Sequence, residues 1–232
     1  MIDQDDLLVE DREGVRILTL NRPSRRNALS SALAENLLSQ LRNADADPSV
    51  KSILLSGADP VFCAGADLSE GVGDISGTVE QSRLSTFHQL QTFPARMTKA
   101  VVAAVNGSAI GIGASIVMAA DFIVMADSAH MSFPELQHGM VPTMVVPAVV
   151  KRVGRAMAFE IITLQTPIDA TRALSLGLAH RTCDESKLRP QAFEHARGFG
   201  EINSNLMSKV KTMLAAAETH SLDDALWAAR MY

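Results

Sequence analysis

Two features of this chain combine residue types suited to chemistry: a glycine-rich strand-to-helix turn, and a carboxylate, Glu135, set in apolar sequence. The turn reads Asn106-Gly107-Ser108-Ala109-Ile110-Gly111-Ile112-Gly113-Ala114-Ser115, between a short apolar strand and an apolar helical run that reaches Ala120. The first N–H groups of a helix have no intrahelical acceptor and lie at the positive end of its dipole, so such a turn suits developing negative charge. Glycine lets a ligand come close to the backbone. The Ile112 N–H is therefore a candidate donor to a ligand oxygen; the other reading is a tight turn packed into a core. The stretch Val61-Phe62-Cys63-Ala64-Gly65-Ala66-Asp67-Leu68 repeats the logic, a strand leading to small residues and then to Asp67, which is placed to cap a short helix. Glu135 follows Phe133-Pro134. Desolvation there would raise its pKa and fit it to act as a general base, whereas a carboxylate in the first turn of a surface helix would do nothing chemical. Arg22, Arg25 and Arg26 share one basic turn, which fits either a bound phosphate or a solvated loop.

Other motifs fall short. Gly111-Ile112-Gly113 opens like a dinucleotide loop, but Ile116 stands where its third glycine would be. Ser115 lacks the closing glycine of a hydrolase nucleophile elbow, since Val117 occupies that place. The six histidines are scattered with no pair at ligand spacing, so no metal site is expected. His138, near Glu135, reads as structural, and Cys63 as a small core residue.

The elements that must position these residues follow from the patterning. Residues 7–9 and 15–20 form a hairpin around Asp11-Arg12-Glu13-Gly14, and Ser30 or Ser31 caps a helix with Leu33, Leu37, Leu38 and Leu41 on one face. Apolar strands are expected at 50–55, 101–105 and 122–125, with a last short one at 178–182. A loop at 70–78 carries Gly71, Gly73 and Gly77 and either gates a neighbouring site or is plain surface. Helices are expected at 79–92, 142–153, 156–164, 170–175, 190–200, 203–217 and 222–230. The recurring strand, turn and helix make the chain α/β.

Composition bounds the rest. With 232 residues, 47% of them hydrophobic, the chain can bury one large core, with or without an appendage. A net charge of -5 argues against nucleic acid as a partner. No apolar run is long enough for a membrane span, and the acidic N-terminus does not look like a signal peptide. Two cysteines, Cys63 and Cys183, fit a reduced, cytoplasmic protein.

Residues 20–29, 62–68 and 106–115, followed by Phe133-Pro134-Glu135 and Gly139-Met140-Val141-Pro142, together resemble the crotonase (enoyl-CoA hydratase/isomerase) superfamily in order and spacing, over nearly the whole chain. The resemblance implies a spiral of repeated ββα units at 1–188, with a C-terminal helical region at 189–232 that builds homotrimers or homohexamers. It implies an acyl-CoA substrate, with coenzyme A part of that substrate and no separate cofactor or metal. An enolate would be stabilised at the thioester oxygen by the backbone N–H groups of Ala66 and Ile112. Substrate contacts would extend over Ala64, Ala66, Asp67, Leu68, Ser69 and Ile112, and the basic turn would lie near the CoA nucleotide. Hydratases of the family use two glutamates, one at the position of Glu135 and one where this chain has Ser115. A serine hydroxyl cannot replace that carboxylate unassisted. The expectation is therefore an enoyl-CoA double-bond isomerase with Glu135 as its single base, the alternatives being a hydratase or decarboxylase of the same fold, or a non-catalytic acyl-CoA-binding subunit. Many relatives carry one more helix beyond the position of Tyr232, which implies here a more open pocket or one covered by a neighbouring subunit.

Overall fold

The computed structural model describes residues 6–70 and 78–230. It opens on the expected hairpin, β1 (Leu7–Arg12) and β2 (Val15–Leu20), antiparallel and joined through Glu13 and Gly14, both at positive φ (49° and 79°). That is the backbone a tight hairpin turn needs. Helix α1 (Ser31–Ala46) starts at Ser30, whose Oγ accepts from the Leu33 N–H, and it buries Leu33, Leu37, Leu38 and Leu41 as the pattern predicts.

Three strand pairs follow: β3 (Ser52–Gly57) with β4 (Val61–Cys63), β5 (Ala100–Val105) with β6 (Ser108–Ile110), and β7 (Phe122–Ala126) with β8 (His130–Ser132). In each pair the first strand joins a large sheet and the second a small one, so the chain winds as a spiral, one strand per sheet per turn. The large sheet runs β1-β2-β3-β5-β7-β10, with β10 at Arg181–Cys183; the small one runs β4-β6-β8-β9, with β9 at Ile168–Asp169. Strands β2, β3, β5, β7 and β10 are mutually parallel. Every residue of β3 and β5 is buried, which explains why they read as continuous apolar runs rather than alternations.

Helices α2 (Thr78–Thr92) and α3 (Ile112–Ala119) follow the first two pairs and pack on each other, α2 also against α1. Beyond β8 come a 3-10 turn (Glu135–His138) and α4 (Val146–Leu164), broken at Gly154 (φ 75°, ψ 166°), so the two expected helices are one element with a kink. Helix α5 (Ala170–Ser175) falls as expected, capped by the Asp169 carboxylate on the Arg172 N–H.

Three helices end the chain: α6 (Glu185–Gly200), α7 (Ser204–Thr219) and α8 (Leu222–Ala229). Helix α6 starts before Pro190, contrary to the expected start there, and lays Leu188, Ala192, Phe193 and Ala196 on the large sheet; the 188/189 boundary falls inside it. Helix α7 is tied down by the buried Lys211, which donates to the Lys99 carbonyl and pairs with Asp121 at 2.7 Å. Leu206, Val210 and Leu214 of α7 and Leu222, Leu226 and Trp227 of α8 are exposed. No described helix is long and apolar enough to cross a membrane, and no described cluster of His, Cys, Asp or Glu could hold a metal ion. The expected glycine loop at 70–78 lies, apart from its two end residues, outside the described residues.

Candidate active site

Strands β4 and β6 pair in parallel, with Cys63 opposite Ala109. Ala66 and Ile112 therefore each lie three residues beyond that pair, past the ends of adjacent strands. Gly113 sits so near β4 that a Cβ on it would come within 2.8 Å of Cys63, and only glycine allows that approach. Cys63 itself is core: it is fully buried, and burial pushes its thiol up to about 12.

The orientation of Ala66 comes from its other neighbour. Asn27, buried and left-handed at φ 55°, donates to the carbonyls of Ala58 and Val61 and locks the basic turn against the β3–β4 connection. The chain leaving that turn then flanks 64–67: Leu29 N–H donates to the Gly65 carbonyl, and Asp67 N–H to the Leu29 carbonyl. A bridge of this kind uses the groups on either side of Ala66, so the N–H of Ala66 points the other way. Ile112 is the first residue of α3, where an N–H has no intrahelical acceptor. Both residues line one cavity of about 330 Å³.

Glu135 enters that cavity from the 3-10 turn after β8. Its Oε1 lies only 2.7 Å from where a Cβ on Gly111 would stand, so the carboxylate packs close against the bare α-carbon of the residue preceding α3. Gly111 has φ 54°, a second reason for glycine there. Oε2 of Glu135 is buried without a hydrogen-bond partner among the described residues. Burial is the largest influence on this group and holds its pKa above the ordinary carboxylate range; its own backbone N–H and the nearby His138 pull weakly the other way. A raised, unsatisfied carboxyl beside two backbone donors can move a proton next to a carbonyl whose oxygen those donors hold.

The other sequence-derived candidates separate. Ala64, Ala66, Leu68 and Ile112 line the cavity with Glu135. Asp67 and Ser69 do not: the Asp67 carboxylate is buried and accepts from the Ser69 N–H, the Ser69 hydroxyl and Arg22 Nη1. The Ser69 hydroxyl and then Arg22 hold its pKa below the usual carboxylate range, against the burial. Of the basic turn, Arg26 lines the cavity, whereas Arg22 is held in ion pairs with Asp6 and Asp67. Ser115 is buried in α3, its Oγ facing the Gly111 carbonyl at 3.4 Å, and is absent from the cavity wall. His138, expected to be structural, is exposed and lines the cavity.

Arg83, Leu84 and Phe87 of α2 complete one wall and were not singled out from sequence. A charged residue four positions before a buried aromatic, on the same helix face, was the available signal.

The sequence matches the enoyl-CoA hydratase/isomerase family over residues 10–231. Among similar proteins are the 1,2-epoxyphenylacetyl-CoA isomerase of Escherichia coli, 31% identical over 97% of this chain and 88% of that one, and the 2,3-dehydroadipyl-CoA hydratase of the same organism, 33% identical over 75% and 67%. Among solved structures, the enoyl-CoA hydratase of Bacillus anthracis superposes with a TM-score of 0.90 at 26% identity, covering 97% of this chain and 88% of that one. Their names span an isomerase and hydratases, so likeness alone does not choose a reaction. With the spiral of paired strands and the shared backbone register at Ala66 and Ile112, the chain belongs to the enoyl-CoA hydratase/isomerase family.

Proposed function

We propose that this protein is an enoyl-CoA isomerase that converts a 3-enoyl to a 2-enoyl thioester with Glu135 as its only base. One observation carries the reading: among the described residues Glu135 is the single carboxylate on the cavity wall, and the position of the hydratases' other glutamate holds the buried Ser115. Hydration must activate a water and deliver a proton to carbon, tasks that two carboxylates divide. Moving a double bond needs one group used twice. Glu135 takes a proton from the carbon between the thioester and the double bond, and electron density shifts onto the thioester oxygen. The N–H groups of Ala66 and Ile112 hold that oxygen, a contribution of roughly 2.7–4 kcal/mol to the barrier for each donor. The carboxylic acid so formed returns the proton two carbons farther along, and the carbonyl is restored with the double bond conjugated to it.

Arg26, at the cavity and next to the turn that Asn27 secures, is the member of the basic turn placed to meet the CoA phosphates. The exposed apolar residues of α7 and α8 support assembly into a homotrimer or homohexamer, which sedimentation would read directly.

The deciding test offers the purified protein a 3-enoyl-CoA, crotonyl-CoA and a malonyl-type thioester. Isomerisation should dominate. Hydration of crotonyl-CoA at a comparable rate, or decarboxylation, would overturn the assignment in favour of the corresponding reaction of the same fold. Tight acyl-CoA binding without turnover on the whole panel would make the chain a binding subunit.

A further inference from the structure

Of the two donor segments, 64–67 is held by directional bonds to the chain leaving the basic turn, whereas α3 is held mainly by apolar contact. Every residue from Ile112 to Met118 is buried, and the one polar side chain among them, Ser115, faces the Gly111 carbonyl of its own turn. Apolar burial is non-directional and sets neither the rotation nor the axial position of a helix closely. Directional bonds to the rest of the molecule stand at the two ends of α3. Before its first residue, the Gly111 N–H donates to the Ser132 carbonyl. At the far end Arg152 reaches across from α4. Its Nε donates to the Met118 carbonyl at 2.9 Å, and its Nη2 to the Met118 carbonyl and, at 2.9 Å, to that of Ala120.

The last carbonyls of a helix have no intrahelical donor and lie at the negative end of its dipole, so a guanidinium suits them in geometry and in charge. The carboxylates whose charge acts on Arg152 are engaged elsewhere: Glu218 stands 4.0 Å from Lys151, and Asp121 pairs with Lys211 at 2.7 Å. Arg152 belongs to the part of α4 before the break at Gly154, and the residues leading into that part, Met144 and Val145, line the cavity. One segment thus forms a wall of the cavity and grips the far end of α3, a helix of eight residues and so about 12 Å long. We propose that Arg152 is a positioning residue of the oxyanion hole: by bridging the Met118 and Ala120 carbonyls it fixes α3 in rotation and along its axis, and so aims the Ile112 N–H at the thioester oxygen. Arg152 itself is absent from the cavity wall. A donor of this kind must be held to within about 0.5 Å, and a 1 Å displacement caused from a distance costs on the order of 100-fold. The proposal rests on the oxyanion-hole reading above and holds for whichever enolate reaction the enzyme runs.

The test reads the donor through the infrared carbonyl band of bound butyryl-CoA, isotopically labelled at the thioester carbonyl; this saturated ligand does not turn over. A carbonyl that accepts hydrogen bonds from fixed N–H groups absorbs at lower frequency, so the wild-type band should lie below its position in buffer. Arg152→Met should return the band part of the way. Its kcat on a 3-enoyl-CoA should fall about tenfold or more while KM changes less than about threefold, the pattern of an interaction made in the transition state. Arg152→Lys keeps the charge but not the fixed fork of donors, and should fall between. Lys151→Met, which removes the neighbouring cation of α4 without touching α3, should leave band and kcat as they are. A merely structural role would lower the melting temperature of Arg152→Met and leave the band of ligand bound to the folded protein unmoved. That result would overturn the proposal, as would an equal shift in Lys151→Met. Should Arg152→Met not fold, the band of Arg152→Lys decides on the same terms. A wild-type band no lower than in buffer would instead overturn the oxyanion-hole reading itself.

Discussion

Two carboxylates border the same pair of strand ends and are treated in opposite ways. Asp67 follows Ala66 and is saturated, by the hydroxyl and N–H of Ser69 and by Arg22. Glu135 stands by Gly111, on the other side of the donors, and is given burial with one oxygen left unsatisfied. Their pKa values are pushed apart, down for Asp67 and up for Glu135. A group held firmly as a carboxylate fixes the backbone around it, and one on which charge is unfavourable can take up a proton and release it. The difference assigns Asp67 to shaping the 64–69 segment and Glu135 to proton transfer.

The comparison can be broken at several points. Among changes that leave both carboxylates in place, the largest effect belongs to Ile112→Pro, which deletes one N–H at the first position of α3, where a proline ring is tolerated. kcat/KM should fall roughly 100- to 1000-fold, with helicity by circular dichroism preserved. Gly111→Ala comes next: the added Cβ must displace the Glu135 carboxylate from its resting place. Activity should drop at least about tenfold, the scale set by misplacing a general base. A carboxylate driven toward water would also move the acid limb of the kcat/KM profile down toward the ordinary carboxylate range. An acid limb that stays in place would show that Gly111 does not set the position of the base.

Asp67→Ala should act on stability, costing about 1.5–3 kcal/mol in denaturant unfolding because it removes one of the two carboxylates that pair with the half-buried Arg22 and the acceptor of the Ser69 hydroxyl and N–H. The smallest effect sharpens the contrast most. The folded pKa of Glu135 is raised, so the neutral form suits the fold. The stability it contributes is fully present in acid below the unfolded value, and lost as pH rises through the folded one. Glu135→Gln should therefore melt higher than wild type at pH 8, with the gap closing in acid. For Asp67 the sign reverses: its depressed pKa contributes stability above the unfolded value, lost as pH falls through the folded one, so Asp67→Asn should melt lower at pH 8, and that gap too should close in acid.

Much of the fold was legible where residues carry strong local signals. Ser30 announces a helix start, and the leucines of α1 announce its buried face. Strands β3, β5 and β7 show as apolar runs because both their faces are covered. The small sheet was not legible as a sheet: β4, β6 and β8 have three residues each, too few to show a period, and only the spiral brings them side by side. The site divides in the same way. Backbone donors could be placed because turns of small residues leave a mark in sequence. The engagement of Asp67 by Arg22, the seating of Glu135 on Gly111 and the burial of Arg83 depend on contacts between distant segments, which no local pattern encodes.

The central claim, that one carboxylate carries the proton in both directions, is tested most directly by Glu135→Gln assayed with a 3-enoyl-CoA. The change keeps the size of the side chain and removes only its acid–base function. Isomerisation should fall about 100- to 10,000-fold while the protein still binds the thioester. An unchanged rate would contradict the account and place the base elsewhere in the cavity.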